Sequence, residues 1–416
     1  FSTVGALIGL ALSIFLIIKN FHATYALIIG ALVGGIIGGG GLVGTVSAMV
    51  KGSESMMSSV LRIMTSGILA GCLVKTGAAE KIADTIIKKL GEQKALIAIA
   101  ISTMIICAVG VFIDISVITC APIALAVGKK SNLSKSSILL AMIGGGKAGN
   151  VISPNPNTIA TAEGFKLNLT SLMYVNIIPA ICALIVTIII AMALAKKKTD
   201  VIDSTDLESS ERTNLPSFFA SILGPVTVII LLALRPIAKI TIDPLIALPL
   251  GGFVCLLATK ETKNTKEYVN YGFSKIIGVC ALLIGTGTIA GIIKNSTLQT
   301  DMINLITAFN LPAFILAPVA GILMGGATAS TTAGSTIASQ TFSKSLIDAN
   351  VTALNAGAMV HAGATVIDSL PHGSFFHATG GSVKMSIADR LKIIPYEAAV
   401  GLTTTIASVL VYLITK

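Results

Sequence analysis

Ionisable side chains inside long apolar runs are the residues of this chain best placed to do chemistry. Asp114 sits in GVFIDIS at 110–116, Lys147 in GGGKAGNVISPNPNT at 144–158, and His361, Asp368 and His372 in HAGATVIDSLPHGS at 361–374. A charged group at mid-bilayer costs about 2.5–3.5 kcal/mol on insertion scales, and persists mostly where it binds a solute, carries a proton or is paired. A carboxyl or imidazole held away from water can take a proton on one side of a membrane and release it on the other. Asp114 and Asp368 are therefore the first candidates for proton coupling, followed by His361 and His372. Lys147 is the natural counter-charge for a solute carboxylate, with glycines leaving room around it. The competing reading is a structural pair in which Asp114 or Asp368 neutralises Lys147.

Short polar side chains surround these charges. Pro154 and Pro156 remove helix N–H donors and stop a helix, beside Asn150, Ser153, Asn155, Asn157 and Thr158. Thr365 and Ser369 occupy the second such segment, and Ser330, Thr331 and Thr332 the segment GGATASTTAGS at 325–335. Backbone that leaves helical geometry inside a bilayer must line a cavity or be covered by protein. Helix N-termini that open from such breaks attract anions. Together these residues predict a cradle of hydroxyls and amides for a small polyhydroxy acid. Glycine and proline breaks can also merely kink a span, but four at corresponding positions favour a site.

The composition says what must position them. The chain has 416 residues, 54% hydrophobic and only 12% charged, with a mean hydropathy of +0.90. Soluble domains carry about 25% charged residues, so a globule of this size would lack polar cover. That excludes a soluble enzyme and a nucleic-acid binder, and predicts a polytopic helical membrane protein. The net charge of +10 then reports topology, because Lys and Arg concentrate in cytoplasmic loops. The six cysteines have no CxxC or metal-ligand spacing. Residues 3–18 lack a basic start and a cleavage site, and are read as a span.

Two apolar runs, 95–127 and 313–342, are too short for two comfortable crossings and are interrupted in the middle. Each is read as a re-entrant helical hairpin. Lysines on both flanks of the first place its ends in the cytoplasm. Propagating from there predicts ten full spans with both termini external, which puts 20 basic residues inside and 8 outside. An internal similarity runs through the chain. GILAG at 67–71 matches GTIAG at 287–291, NIIPA at 176–180 matches KIIPY at 392–396, and Pro156 falls on Pro371. Five spans and a hairpin per half make the second copy inverted, the pattern of secondary transporters. The expected organisation is repeat 1 at 1–198 with a broken helix at 136–162, a cytoplasmic linker at 199–216, and repeat 2 at 217–416 with a broken helix at 351–378. Amphipathic interfacial arms are expected at 79–90 and 298–310.

The strings GVFIDISVITCAPIA, GGGKAGNVISPNPNTIATAEGF and HAGATVIDSLPHGSFFHATGGSV closely resemble the gluconate permease (GntP) family of proton symporters, in the ion-transporter superfamily. The resemblance covers essentially the whole chain, and PNPNT with DSLPHG is its most specific part. It implies an elevator-type homodimer in a bacterial inner membrane that imports gluconate or a related hydroxy-carboxylate, and is not an enzyme. Glycerate or D-serine is the alternative solute. The residues independently read as a secondary transporter for a small anion. No Walker loop suggests ATP drive, and no HExxH motif suggests intramembrane hydrolysis. No cofactor or metal is expected; H+ is the expected coupling ion and Na+ the alternative.

Overall fold

The computed structural model describes the chain except residues 20, 198–199, 208–213, 299, 302–303, 305–311, 372 and 416, and the side chains of 235–237. It is built of helices: α1 (Thr3–Ile18), α2 (Ala23–Ile37), α3 (Gly41–Glu54), α4 (Met57–Lys75), α5 (Ala78–Leu90), α6 (Ala95–Ala108), α7 (Ile113–Lys130), α8 (Lys135–Asn150), α9 (Pro156–Gly164), α10 (Leu169–Val175) and α11 (Ile177–Ala195). After the linker come α12 (Phe218–Ala238), α13 (Pro244–Ala258), α14 (Thr265–Lys294), α15 (Leu316–Thr328), α16 (Thr331–Asp348), α17 (Ala353–Ala364), α18 (Ser374–Ser382), α19 (Ile387–Leu391) and α20 (Ile394–Thr415).

Among the described residues, four helical segments are long and apolar enough to cross a membrane alone: Met57–Lys75, Ile177–Ala195, Thr262–Lys294 and Ile387–Thr415. Ten spans of ordinary length are therefore not found among them. Other apolar runs fold as shorter helices, such as Thr3–Ile18, Ala23–Ile37 and Pro244–Ala258. At 1.5 Å per residue these reach about 24 Å, short of a hydrocarbon core about 30 Å thick.

The two interrupted runs do fold as helix pairs. α6 and α7 pack side by side, joined by a turn in which Gly110 takes φ +110°. α15 and α16 are joined at Ala329 and Ser330 alone. That turn is tight: a Cβ on Gly334 would lie 2.5 Å from the Cα of Gly325. The second arms outlast the sequence boundaries, ending at Lys130 and Asp348. The breaks are also narrower than expected. Gly144 to Gly149 belong to α8, and only Val151–Asn155 leaves helical geometry before α9. These glycines instead admit a neighbour: a Cβ on Gly145 would lie 2.1 Å from the carbonyl oxygen of Ala100 on α6. The second break runs from Thr365 to Gly373, between α17 and α18.

α5 forms the expected amphipathic arm. It buries Ile82 and Ile87, pairs the largely buried Asp84 with the exposed Lys88 at 2.8 Å, and turns by 107° into the first hairpin. Most of the arm expected at 298–310 lies outside the described residues. The described part of the linker is pinned: Lys135 at the start of α8 pairs with Asp206 at 2.8 Å, and the Asp200 carboxylate accepts the Ser136 N–H.

The packing sorts the helices into two groups, each drawn from both halves of the sequence. α14 lies on α2, α3 and α4, and α13 joins α4 and α12. In the other group α8 packs on α6, α7 and α11, α17 packs on α15, α16 and α20, and α9 packs on α16. The groups touch through α4 with α9, α14 with α16, and α5 with α12.

Candidate anion-binding cavity

Each hairpin turn and each broken helix hands over to a new helix, and those four new helices begin at the same place. Phe112 to Ile115 at the start of α7, Asn157 on the first turn of α9, Ser330 to Thr332 at the start of α16, and Ser374 and Phe375 at the start of α18 all line one cavity of about 340 Å³. Asp368 joins them from the second break, and α14 closes a wall with Lys275, Gly278, Val279 and Leu282. Helix N-termini carry free N–H groups and partial positive charge. Two of the four are capped by side chains. Asn155 accepts from the N–H groups of Asn157 and Thr158 at 3.0 and 3.1 Å, and Ser330 accepts from Ala333 N–H at 3.3 Å. The other two, behind Phe112 and Gly373, have no side-chain cap. Four N-termini on one concavity suit an anion.

The two broken segments and the second hairpin are tied together beneath this surface. Asn150 is the hub of the first break: its side-chain oxygen accepts from Asn155 Nδ2 at 2.5 Å and Asn157 Nδ2 at 2.8 Å, and its carbonyl accepts the Thr158 hydroxyl at 3.3 Å. Ser153 anchors the break to the Cys107 carbonyl on α6 at 2.6 Å. Across the cavity the Thr332 hydroxyl donates to Asn157 Oδ1. Thr331 donates to Asp368 Oδ2 at 2.5 Å, and Ser369 to Oδ1 at 3.0 Å.

Lys147 reaches from α8 to the second break, where its ammonium donates to Asp368 Oδ1 at 2.7 Å and to the Thr365 carbonyl at 2.5 Å. The pair is buried, with side-chain exposures of 0% and 3%, and Lys147 is not part of the cavity lining.

Of the residues singled out in the sequence, the cavity surface brings together Asp114, Asn157, Ser330, Thr331, Thr332 and Asp368. Lys147, Asn150, Ser153, Asn155, Thr158, Thr365 and Ser369 are buried behind it. His361 is fully buried on α17 with both ring nitrogens unpartnered and does not line the cavity. His372 lies outside the described residues. The candidate residues drawn from the sequence did not include His22, Thr24 or Lys275, which line the cavity from the other helix group. For Lys275 the only trace is a lysine near the start of the apolar run at 272–293.

Comparison with known proteins agrees with this architecture. Residues 1–415 match the sequence profile of the GntP family permease. An uncharacterized transporter of Haemophilus influenzae is 52% identical over 411 residues, covering 99% of this chain and 98% of its own. The high-affinity gluconate transporter of Escherichia coli K12 is 22% identical, with 92% of each chain covered. The D-serine transporter DsdX of the same strain is 21% identical, covering 78% of this chain and 79% of its own. The fold is similar to that of the Alcanivorax borkumensis YdaH transporter, with a TM-score of 0.71 at 12% identity over 90% of this chain and 88% of that one. The chain is a multi-pass membrane transporter, not an enzyme, and belongs to the GntP permease family.

Proposed function

We propose that this protein imports gluconate or a closely related hydroxy-carboxylate by proton symport across a bacterial inner membrane, with both termini outside. The observation that carries the reading is the convergence of four helix N-termini on one cavity. The carboxylate of the solute binds at the uncapped starts of α7 and α18, and its hydroxyls bind Ser330, Thr332 and Asn157. Lys275 supplies a cation at the mouth of the cavity. Asp114 is the proton carrier: it lines the cavity and, among the described residues, has no ion-pair partner. Lys147 and Asp368 act as a positioning pair, holding the second break against α8.

The group of α6–α11 with α15–α20 moves against the group of α1–α4 with α12–α14 in an elevator-like manner, in a homodimer whose two halves are inverted repeats. The close internal packing of each group supports this division. D-serine is the second candidate solute, favoured by the likeness to DsdX. The test is uptake into liposomes with an inward proton gradient and no sodium, over a panel of gluconate, idonate, glycerate and D-serine. Saturable, gradient-driven gluconate uptake is the expected result. Uptake that requires sodium and ignores pH removes the proton coupling, and uptake of D-serine alone reassigns the solute.

A further inference from the structure

Three helices of the central cavity run on to a second cavity of about 500 Å³. α9 leads from Asn157 to Glu163, α14 from Leu282 to Ala290, and α16 from Thr332 to Gln340. The helix rise makes the gap about 9–12 Å. The second cavity is ringed by four lysines from separate elements: Lys51 on α3, Lys166 in the turn after α9, Lys294 at the end of α14 and Lys344 on α16. All four are exposed, and among the described residues no carboxylate pairs with any of them. The acid in the lining, Glu163, is taken by Arg62 at 2.6 Å. Four uncompensated ammonium groups around one concavity repel each other and raise the local concentration of anions. They are also half of the sparse basic set that the proposed topology leaves outside the membrane.

Between the cavities, small hydroxyl side chains are buried among apolar ones such as Ile289, Ile337 and Ala338. Thr161, Thr286, Thr336 and Ser339 are buried there, each bonded only to a carbonyl of its own helix. No hydroxyl in this set ties one helix to another, so the seam can part without breaking a cross-helix bond among them.

We propose that the second cavity is an electrostatic capture site for small carboxylate anions, on the outer face, from which the seam between α14 and α16, where the two helix groups meet, leads to the central cavity. This rests on the anion-transport reading above and adds the outer site to it. Wild type and a Lys51→Gln, Lys166→Gln, Lys294→Gln, Lys344→Gln variant are compared in phosphatidylcholine liposomes with and without anionic lipid, at about 0.01 M and about 1 M salt, where the screening length is about 30 Å and about 3 Å. The variant is expected to show a KM for gluconate at low salt raised about tenfold, with kcat unchanged and the difference gone at high salt. Equal KM values at low salt overturn the proposal. A difference seen only when anionic lipid is present assigns the lysines to lipid headgroups and also overturns it.

A second measurement needs no transport. Lys294→Cys is labelled in right-side-out vesicles with impermeant anionic and cationic thiol reagents. The anionic reagent is expected to react about tenfold faster relative to the cationic one at low salt, and to lose that advantage when the other three lysines are Gln. Equal rates overturn the capture site. A wild type that carries no gluconate sinks the solute assignment, and the labelling ratio then decides the capture site by itself.

Discussion

The ammonium of Lys147 and the carboxylate of Asp368 meet at 2.7 Å although they are 221 positions apart in the chain. The contact joins the end of α8 to the break between α17 and α18. Burial makes it costly to leave either member alone, because a lone charge in a low-dielectric interior has no compensation. Lys147→Met or Asp368→Leu is expected to destabilise by about 3–5 kcal/mol, while the double substitution recovers most of that loss. Thermal unfolding in detergent of the two single variants and the double variant measures the coupling. Additive losses would show that the pair is not a unit.

Asp114 stands apart from that pair and faces the cavity. In the proposed mechanism Asp114→Asn cannot deliver a proton, yet keeps the shape of the site. Proton-driven accumulation is expected to vanish while gluconate exchange between loaded and unloaded liposomes continues. Unchanged pH dependence of uptake in this variant would remove Asp114 as carrier.

Thr332 and Asn157 connect the second hairpin to α9 across the cavity. Asn157 also donates to Asn150, so its loss frees two neighbours at once. Asn157→Ala is expected to cost about 1–3 kcal/mol of solute binding, a rise in KM of about fivefold to a hundredfold. Thr332→Val removes only the donor and should do less. Solute-induced thermal shifts in the two variants rank them without a transport assay. A larger effect from Thr332→Val would reverse the assigned roles.

Arg62 ties the two helix groups at one point. From α4 it pairs with Glu163 on α9 at 2.6 Å and with Asp243, the N-cap of α13, at 2.7 Å. The Arg62 guanidinium, hydrogen-bonded to Asp243, holds that carboxyl below the usual carboxylate range. A carboxyl with a depressed folded pKa stabilises above its unfolded value near 4, and loses that contribution as pH falls through the folded pKa. The network is partly exposed, so its contribution is about 1 kcal/mol or less. The unfolding temperature of Asp243→Asn should therefore lie slightly below that of wild type at pH 7, and the two should converge below about pH 4. A gap that persists in acid would place the effect in the cap of α13 and not in the ion pair.

Much of the candidate cavity was legible along the chain because it is built from local interruptions. Proline and glycine pairs, a hydroxyl-rich turn and isolated charges mark the segments where helices must stop, and the helices do stop at Val151–Asn155, Ala329–Ser330 and Thr365–Gly373. Apolar composition likewise dictated a helical membrane protein, since so few charges cannot cover a soluble surface. Pairing was not legible. Asp114 and Asp368 had equal claims on Lys147, and both lie in broken segments; only the seating of α8 against the second break gives Lys147 to Asp368. The number of full crossings was overestimated for a related reason: hydropathy counts apolar residues and cannot see where a run such as 24–48 is divided between α2 and α3. Lys275 and His22 were not marked as site residues because they belong to the other packing group, His22 just before α2 and Lys275 within α14, with no local pattern to mark them. Sequence fixes where a backbone must bend and which groups are dear to bury. Which of those groups meet is decided by helix faces closing over hundreds of residues, where the approach of Gly145 to Ala100 counts for more than any motif.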